Sequence, residues 1–244
     1  LFTTPSINNS AWLSGRRPAI AGNAHLGDFL RIASWNIEKS FHAADAAEAL
    51  KSEAAYKRLL KPAVLSNPER LKEALRQRER LITADVLLLQ EMDVGVPRSG
   101  YIDATREIAR ALGMNYSYAP QQLEIDPVTL GLEPGGPEPD PKRYKGMFGI
   151  AVLSRYPITK AVAFQLKNQP YDWYYGELDE PDSIEKVRRY GAKLVFKSRI
   201  EREMKIGGRI FFRVDLHVPG LPDDTLSIIH NHLEIKTTPR GREE

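Results

Sequence analysis

An α/β fold with a large β share is predicted by three features of the 244-residue sequence. Short apolar runs end abruptly in polar residues at 29–36, 84–93 and 226–232, helix-forming stretches separate the first two, and strand patterns dominate beyond residue 113. With 42% apolar and 27% charged residues, the composition suits one large domain, expected over 29–244 after an N-terminal arm at 1–28.

Several classes are excluded or left without support. Cysteine is absent, so neither disulfides nor thiolate metal sites contribute. The formal charge of +3 is slight, and Lys and Arg are mixed with acids at 51–80 and 185–205, so nucleic acid is not singled out as a partner by charge. No apolar run approaches the roughly 18 residues that span a bilayer, so no transmembrane segment is expected. The chain starts at Leu1 without a charged segment and apolar core before it; the expectation is that the true start is missing, a removed signal peptide and a truncated fragment looking alike, so secreted and cytoplasmic placement both stay open. A monomer is expected.

The elements follow in order. Residues 1–28, rich in Thr, Ser, Asn, Pro and Gly, read as a loose arm. Phe29 to Trp35 reads as a first strand delivering Asn36 at its end. Ala43 to Leu60 is made of helix formers and predicts a helix in one or two pieces. Asn67 followed by Pro68 has the form of an N-cap with proline at the first helical position, and apolar positions at helical spacing follow to Ile82. Val86 to Leu89 is an uninterrupted apolar run, the pattern of a buried strand, after which Gln90, Glu91, Met92 and Asp93 turn to polar chemistry. Asp103 can cap a helix that Gly113 ends. Met114 to Ala119 alternates as a strand, and 124–146 collects five prolines as a long loop. Phe148 to Leu153 and Ile158 to Leu166 are strands split by a turn at Arg155–Pro157. An irregular stretch at 168–189 carries Tyr171, Trp173, Tyr174 and Tyr175, which could stack on a ligand or form a minor core. Ala192 to Ser198 and Arg209 to Val218 read as strands joined through Gly207–Gly208, and Leu226 to Asn231 as the last.

Three strand ends carry the candidate chemistry: Asn36 in ASWNIEK, Glu91 in LLLQEMD, and Asn231–His232 in SIIHNHLE. A hard cation such as Mg²⁺ takes oxygen ligands, commonly one or two carboxylates with waters and substrate phosphate, and Glu91 with the Asn36 amide oxygen supplies a partial site of that kind. His232 offers a donor where negative charge grows on a phosphoryl oxygen, and Asn231 a neutral one. Each residue also has an ordinary reading. A glutamate after a buried strand caps or pairs on the surface, an Asn at a strand end makes a turn, and His230 with His232 fits a strand face as well as a metal pair. His25, His42 and His217 have no motif context.

Taken together, RIASWNIEKS (31–40), ADVLLLQEMD (84–93), GIAVLSRYPI (149–158) and LSIIHNHLE (226–234) resemble, in order, the motifs of the endonuclease/exonuclease/phosphatase superfamily with its deoxyribonuclease I-like fold. The resemblance runs from about residue 29 to the end. It implies a four-layer α/β/β/α sandwich and a Mg²⁺-dependent hydrolase of phosphate esters, with Mn²⁺ as a second candidate metal. Under it Asn36 and Glu91 bind the metal, His232 contacts the scissile phosphate, Gln90 orients its neighbours, and Arg98 is a phosphate or substrate contact. The family's later Gly-Asp-x-Asn and Ser-Asp-His motifs do not occur before Glu244. The second sheet is therefore expected to be incomplete, and the chain to be the N-terminal and central part of a longer protein, itself turning over little substrate. The competing expectation is a non-catalytic binding module that keeps the fold.

Overall fold

The computed structural model describes residues 4–15, 30–132, 140–167, 172–178, 187, 190, 191 and 204–233. Among the described residues nine strands fall into two sheets. The first contains β1 (Ser6–Asn8), β2 (Ile32–Asn36), β3 (Val86–Val94), β4 (Asn115–Glu124), β5 (Met147–Ser154) and β7 (Lys205–Gly207), and the second β6 (Ile158–Gln165), β8 (Ile210–His217) and β9 (Thr225–Asn231). The first sheet runs β1-β4-β5-β3-β2 with β7 also on β4, and the second β6-β8-β9. Among the described residues only the β2–β3 pair is parallel.

That parallel pair needs a long crossover. The crossover carries the helices α2 (Ala43–Lys51), α3 (Glu53–Leu59), α4 (Pro62–Leu65) and α5 (Pro68–Ile82). The first helical stretch, expected in one or two pieces, is two helices that part at Ser52, whose hydroxyl caps α3 by accepting from Ala55 N. Asn67 caps α5 by accepting from Arg70 N, with Pro68 at the first helical position. Arg78 of α5 donates to the Ala49 and Leu50 carbonyls at the end of α2 and joins the two helices. Helix α6 (Ala104–Leu112) starts on Asp103 and ends on Gly113 at φ 64, as the sequence predicts.

Alternation along β3 and β5 divides the core in two. Leu87, Leu89, Ala151 and Leu153 face α2 and α6, while Val86, Ile150 and Val152 face Ile210, Phe212, Val214 and Leu216 of β8 on the second sheet. Helices, first sheet and second sheet thus form three of the four expected layers; a helical layer over the outer face of the second sheet is not found among the described residues. α7 (Tyr175–Leu178) is a single turn, and none of the described helices is long and apolar enough to cross a membrane.

Three expectations change. The arm is not loose over 6–13: β1 lengthens the sheet beside β4, and α1 (Ser10–Leu13) follows it. The polar residues that suggested a loop make the docking bonds. Asn9 donates to Ile158 O and accepts from Ile158 N, Asn115 Oδ1 accepts from Trp12 N, and Ser117 Oγ donates to Ser6 O. The strand predicted to stop at Leu89 continues to Val94. The residues just before Gly208 join β4 in the first sheet rather than a hairpin with β8, and the strand expected at 192–198 lies outside the described residues.

Two bulges meet across β5. In β3, Gln90 and Glu91 both lie opposite Ile150, because pairing passes from Leu89–Ala151 to Met92–Gly149. In β4, Gln121 is the extra residue between Pro120–Gly149 and Gln122–Phe148. Gly149 is the residue both bulges close on, and a Cβ there would lie 2.2 Å from the Ala119 carbonyl oxygen. Gly149→Ala is expected to destabilise the fold by about 3 kcal/mol or more, because only backbone movement relieves that overlap. Urea unfolding of the variant beside wild type measures the loss.

Candidate functional site

The bulge in β3 raises Glu91 out of the strand with φ 60, in the left-handed region that a glutamate seldom occupies. The turn after β2 is shaped the same way: Glu38, Lys39 and Ser40 all have positive φ, between 51 and 55. The two strained segments hold each other. Lys39 N donates to Glu91 Oε2 at 2.8 Å, Ser40 Oγ donates to Glu91 O at 2.9 Å, and the same hydroxyl accepts from Asp93 N at 3.0 Å. Asn36 Nδ2 donates to Glu91 Oε1 at 2.9 Å, while Asn36 Oδ1 accepts from Glu38 N.

His232 reaches the same carboxylate from the second sheet, its Nε2 lying 3.8 Å from Glu91 Oε1. The two side chains are 19% and 20% exposed, so a ligand can meet both while the pair stays partly sheltered. Two residues earlier, His230 fixes the register between the sheets. Its Nε2 lies 3.1 Å from Leu89 O, immediately before the bulge, and Gln90 Nε2 lies 3.4 Å from the same ring atom while donating to Ser34 Oγ and Leu88 O. Because the Leu89 carbonyl only accepts, His230 Nε2 carries the proton.

Asn36, Glu91 and His232 therefore converge, but two expected partners do not join them. Asn231 is exposed, opposite Phe211 on β8, while His230 points inward; adjacent residues of a strand face opposite ways, so Asn231 is turned from the site. Arg98 is not a phosphate contact as placed: its Nε and Nη2 donate to Asp93, and Nη1 and Nη2 to Glu124, at 2.6–2.8 Å, spending four of its five N–H donors. Lys205 completes this buried group, 3.5 Å from Glu124 and over the Phe148 and Trp173 rings. Burial pushes the Asp93 carboxyl up to about 7 against the pull of Arg98, and the two carboxylates hold Arg98 well above its ordinary value against the opposing effect of its burial.

The metal assignment divides on the same geometry. Among the described residues no three His, Cys, Asp or Glu gather as a metal cluster, which does not fit a zinc-type cage. A single partly exposed carboxylate with lone pairs to spare fits a Mg²⁺-type ion that keeps waters and takes substrate oxygens. Asn36, expected as a second ligand, turns its oxygen to Glu38 N and its nitrogen to Glu91; as placed it orients the carboxylate. Lys39, Ser40, Gln121 and Arg209 also shape the site and were not foreseen. Lys39 and Ser40 lie inside the 31–40 motif, whereas for Gln121 and Arg209 the one sequence sign is the Gly207–Gly208 pair beside Arg209.

The family model described as Endonuclease/Exonuclease/phosphatase family matches residues 33–231, a span that runs from within β2 to the end of β9 and holds the Asn36–Glu91 pair. The chain belongs to the endonuclease/exonuclease/phosphatase family. Its chemistry as a family is the hydrolysis of phosphoric esters, nuclease action included. Among solved structures, an endonuclease/exonuclease/phosphatase from Beutenbergia cavernae DSM 12333 is 14% identical at a TM-score of 0.42, covering 86% of this chain and 39% of that one. The chain thus spans well under half the length of that relative. No curated protein matches it.

Two predictions test this architecture. Arg98→Met removes the guanidinium that Asp93 and Glu124 share, leaving Lys205 beside Glu124, and is expected to cost about 3 kcal/mol, read from the denaturant midpoint. Burial pushes His230 below the ordinary histidine value, with the Leu89 carbonyl pulling the other way. With the folded value below the unfolded one of about 6.5, the unfolded chain takes up the proton first. Stability is therefore expected to fall as the pH drops below about 6.5, until the folded value is passed. His230→Gln should flatten that part of the pH profile in urea titrations.

Proposed function

We propose that the protein carrying this chain is a Mg²⁺-dependent phosphodiesterase or phosphomonoesterase in which Glu91 holds the metal and His232 contacts the scissile phosphate. The observation that carries this reading is the approach of His232 Nε2 to Glu91 Oε1, at 3.8 Å, across two sheets. A bound Mg²⁺ supplies electrostatic polarisation of the phosphoryl oxygens and orders the attacking water for in-line displacement. Glu91 is the anionic ligand. Asn36 Nδ2 and Lys39 N hold its carboxylate from two sides, so the oxygens meet the ion without reorganising. The His232 ring donates to a non-bridging phosphoryl oxygen as negative charge grows there. Glu91 would hold the metal and the His232 ring would present its donor at the same mouth, where a substrate phosphate could meet both.

The reading is tested with bis(p-nitrophenyl) phosphate and full-length protein, in Mg²⁺ and with a chelator. Hydrolysis is expected in Mg²⁺ and not with the chelator. Glu91→Ala and His232→Ala should each lower kcat/KM by about 100-fold or more. Full activity of Glu91→Ala sinks the metal assignment, and full activity of His232→Ala sinks the phosphate contact. No hydrolysis under any condition favours the non-catalytic module.

A further inference from the structure

His232 is gripped from behind by two side chains that the proposed chemistry does not use. Arg209, just before β8, is 8% exposed and has Nη1 3.2 Å from His232 Nδ1 and 3.5 Å from Gln121 Oε1. Gln121, the fully buried extra residue of the β4 bulge, points its Nε2 to the His232 carbonyl at 3.4 Å. Backbone bonds hold both: Gly208 N donates to Gln121 O, and Leu166 N to Arg209 O.

A guanidinium has five donors, no acceptor, and keeps its proton at any pH a protein survives. Facing it, Nδ1 of a neutral imidazole must present its lone pair, because an N–H there would set donor against donor. The ring's one proton then sits on Nε2, the nitrogen that faces Glu91. The buried Arg209 contact thus sets which edge of His232 donates into the site, the role that a carboxylate or backbone carbonyl more often performs by accepting from Nδ1.

We propose that Arg209 is a positioning residue that locks His232 in the tautomer protonated on Nε2, with Gln121 holding the backbone of the same residue. The catalytic consequence rests on the reading of His232 as the phosphate contact; the tautomer does not. Uniformly ¹⁵N-labelled protein, at a pH well above titration of the ring, gives the protonation of each ring nitrogen from long-range ¹H–¹⁵N correlations. Signals lost in His232→Asn assign the ring. The expected result is a protonated Nε2 and an unprotonated, hydrogen-bonded Nδ1 in wild type. Arg209→Met should move both nitrogens towards the averaged shifts of exchanging tautomers, and Arg209→Lys, which keeps an obligate donor, should restore them. A wild-type ring protonated on Nδ1 overturns the proposal even if Arg209→Met fails to fold, and so does an Arg209→Met spectrum identical to wild type. With bis(p-nitrophenyl) phosphate, Arg209→Met should lower kcat about tenfold with KM little changed, and Arg209→Lys should recover most of it. Wild-type protein that shows the expected tautomer and no hydrolysis counts against the hydrolytic reading and for the lock.

Discussion

The fold's functional geometry depends on one backbone irregularity, the pair Gln90–Glu91 set against the single residue Ile150. A glutamate at φ 60 costs on the order of 1–3 kcal/mol, and three more residues in the facing turn share that conformation. The strain persists because neighbours overdetermine it. Ser40 bridges the bulge by donating to one backbone group of β3 and accepting from another, Lys39 N and Asn36 seize the carboxylate, and Gly149 leaves room for the strands to close. Without the extra residue, Glu91 would be one more side chain in the regular alternation of a buried strand. With it, Met92 and Val94 return to the helix-facing core after Leu87 and Leu89, and the glutamate stands clear.

The second sheet supplies what the first cannot. Its inner face packs Ile210, Phe212, Val214 and Leu216 against Ile150 and Val152, and this apolar contact sets the distance between β9 and β3. His230 turns that general packing into a particular register by bonding to the Leu89 carbonyl. His232, two residues on, inherits the register and meets Glu91, with Arg209 and Gln121 behind it. Close to the bulge, Arg98 ties Asp93 to Glu124 and so links β3 to β4 through buried charge. Such a group contributes little net stability in place of apolar packing, but every partner in it is needed once the others are buried. The site is thus carried by rigid strands on both sides.

Much of this was legible in local chemistry. The caps at Asn67 and Asp103, the glycine stop at Gly113 and the apolar runs of the core strands β3 and β5 follow from rules that act within a few residues of chain. The four motifs pointed to the family, and Asn36, Glu91 and His232 do come together. Asn231 illustrates a signal that was present and unused: with His230 and His232 on one face, strand alternation alone turns Asn231 to the other. Arg98 illustrates one that was absent, since nothing near it in sequence shows that Glu124, 26 residues on, would take its remaining donors.

By itself the sequence determined the main helices and core strands, the caps that start and stop several of them, and the motifs that mark the family. These depend on capping, periodicity and residue type, which are properties of neighbours along the chain. Only the tertiary structure decided that β3 runs on through a bulge, that part of the arm becomes an edge strand, and that Arg209 lies behind His232. Each of those depends on bonds between residues far apart in sequence, and the free energy that fixes them appears only when two sheets and a helical layer are brought into contact.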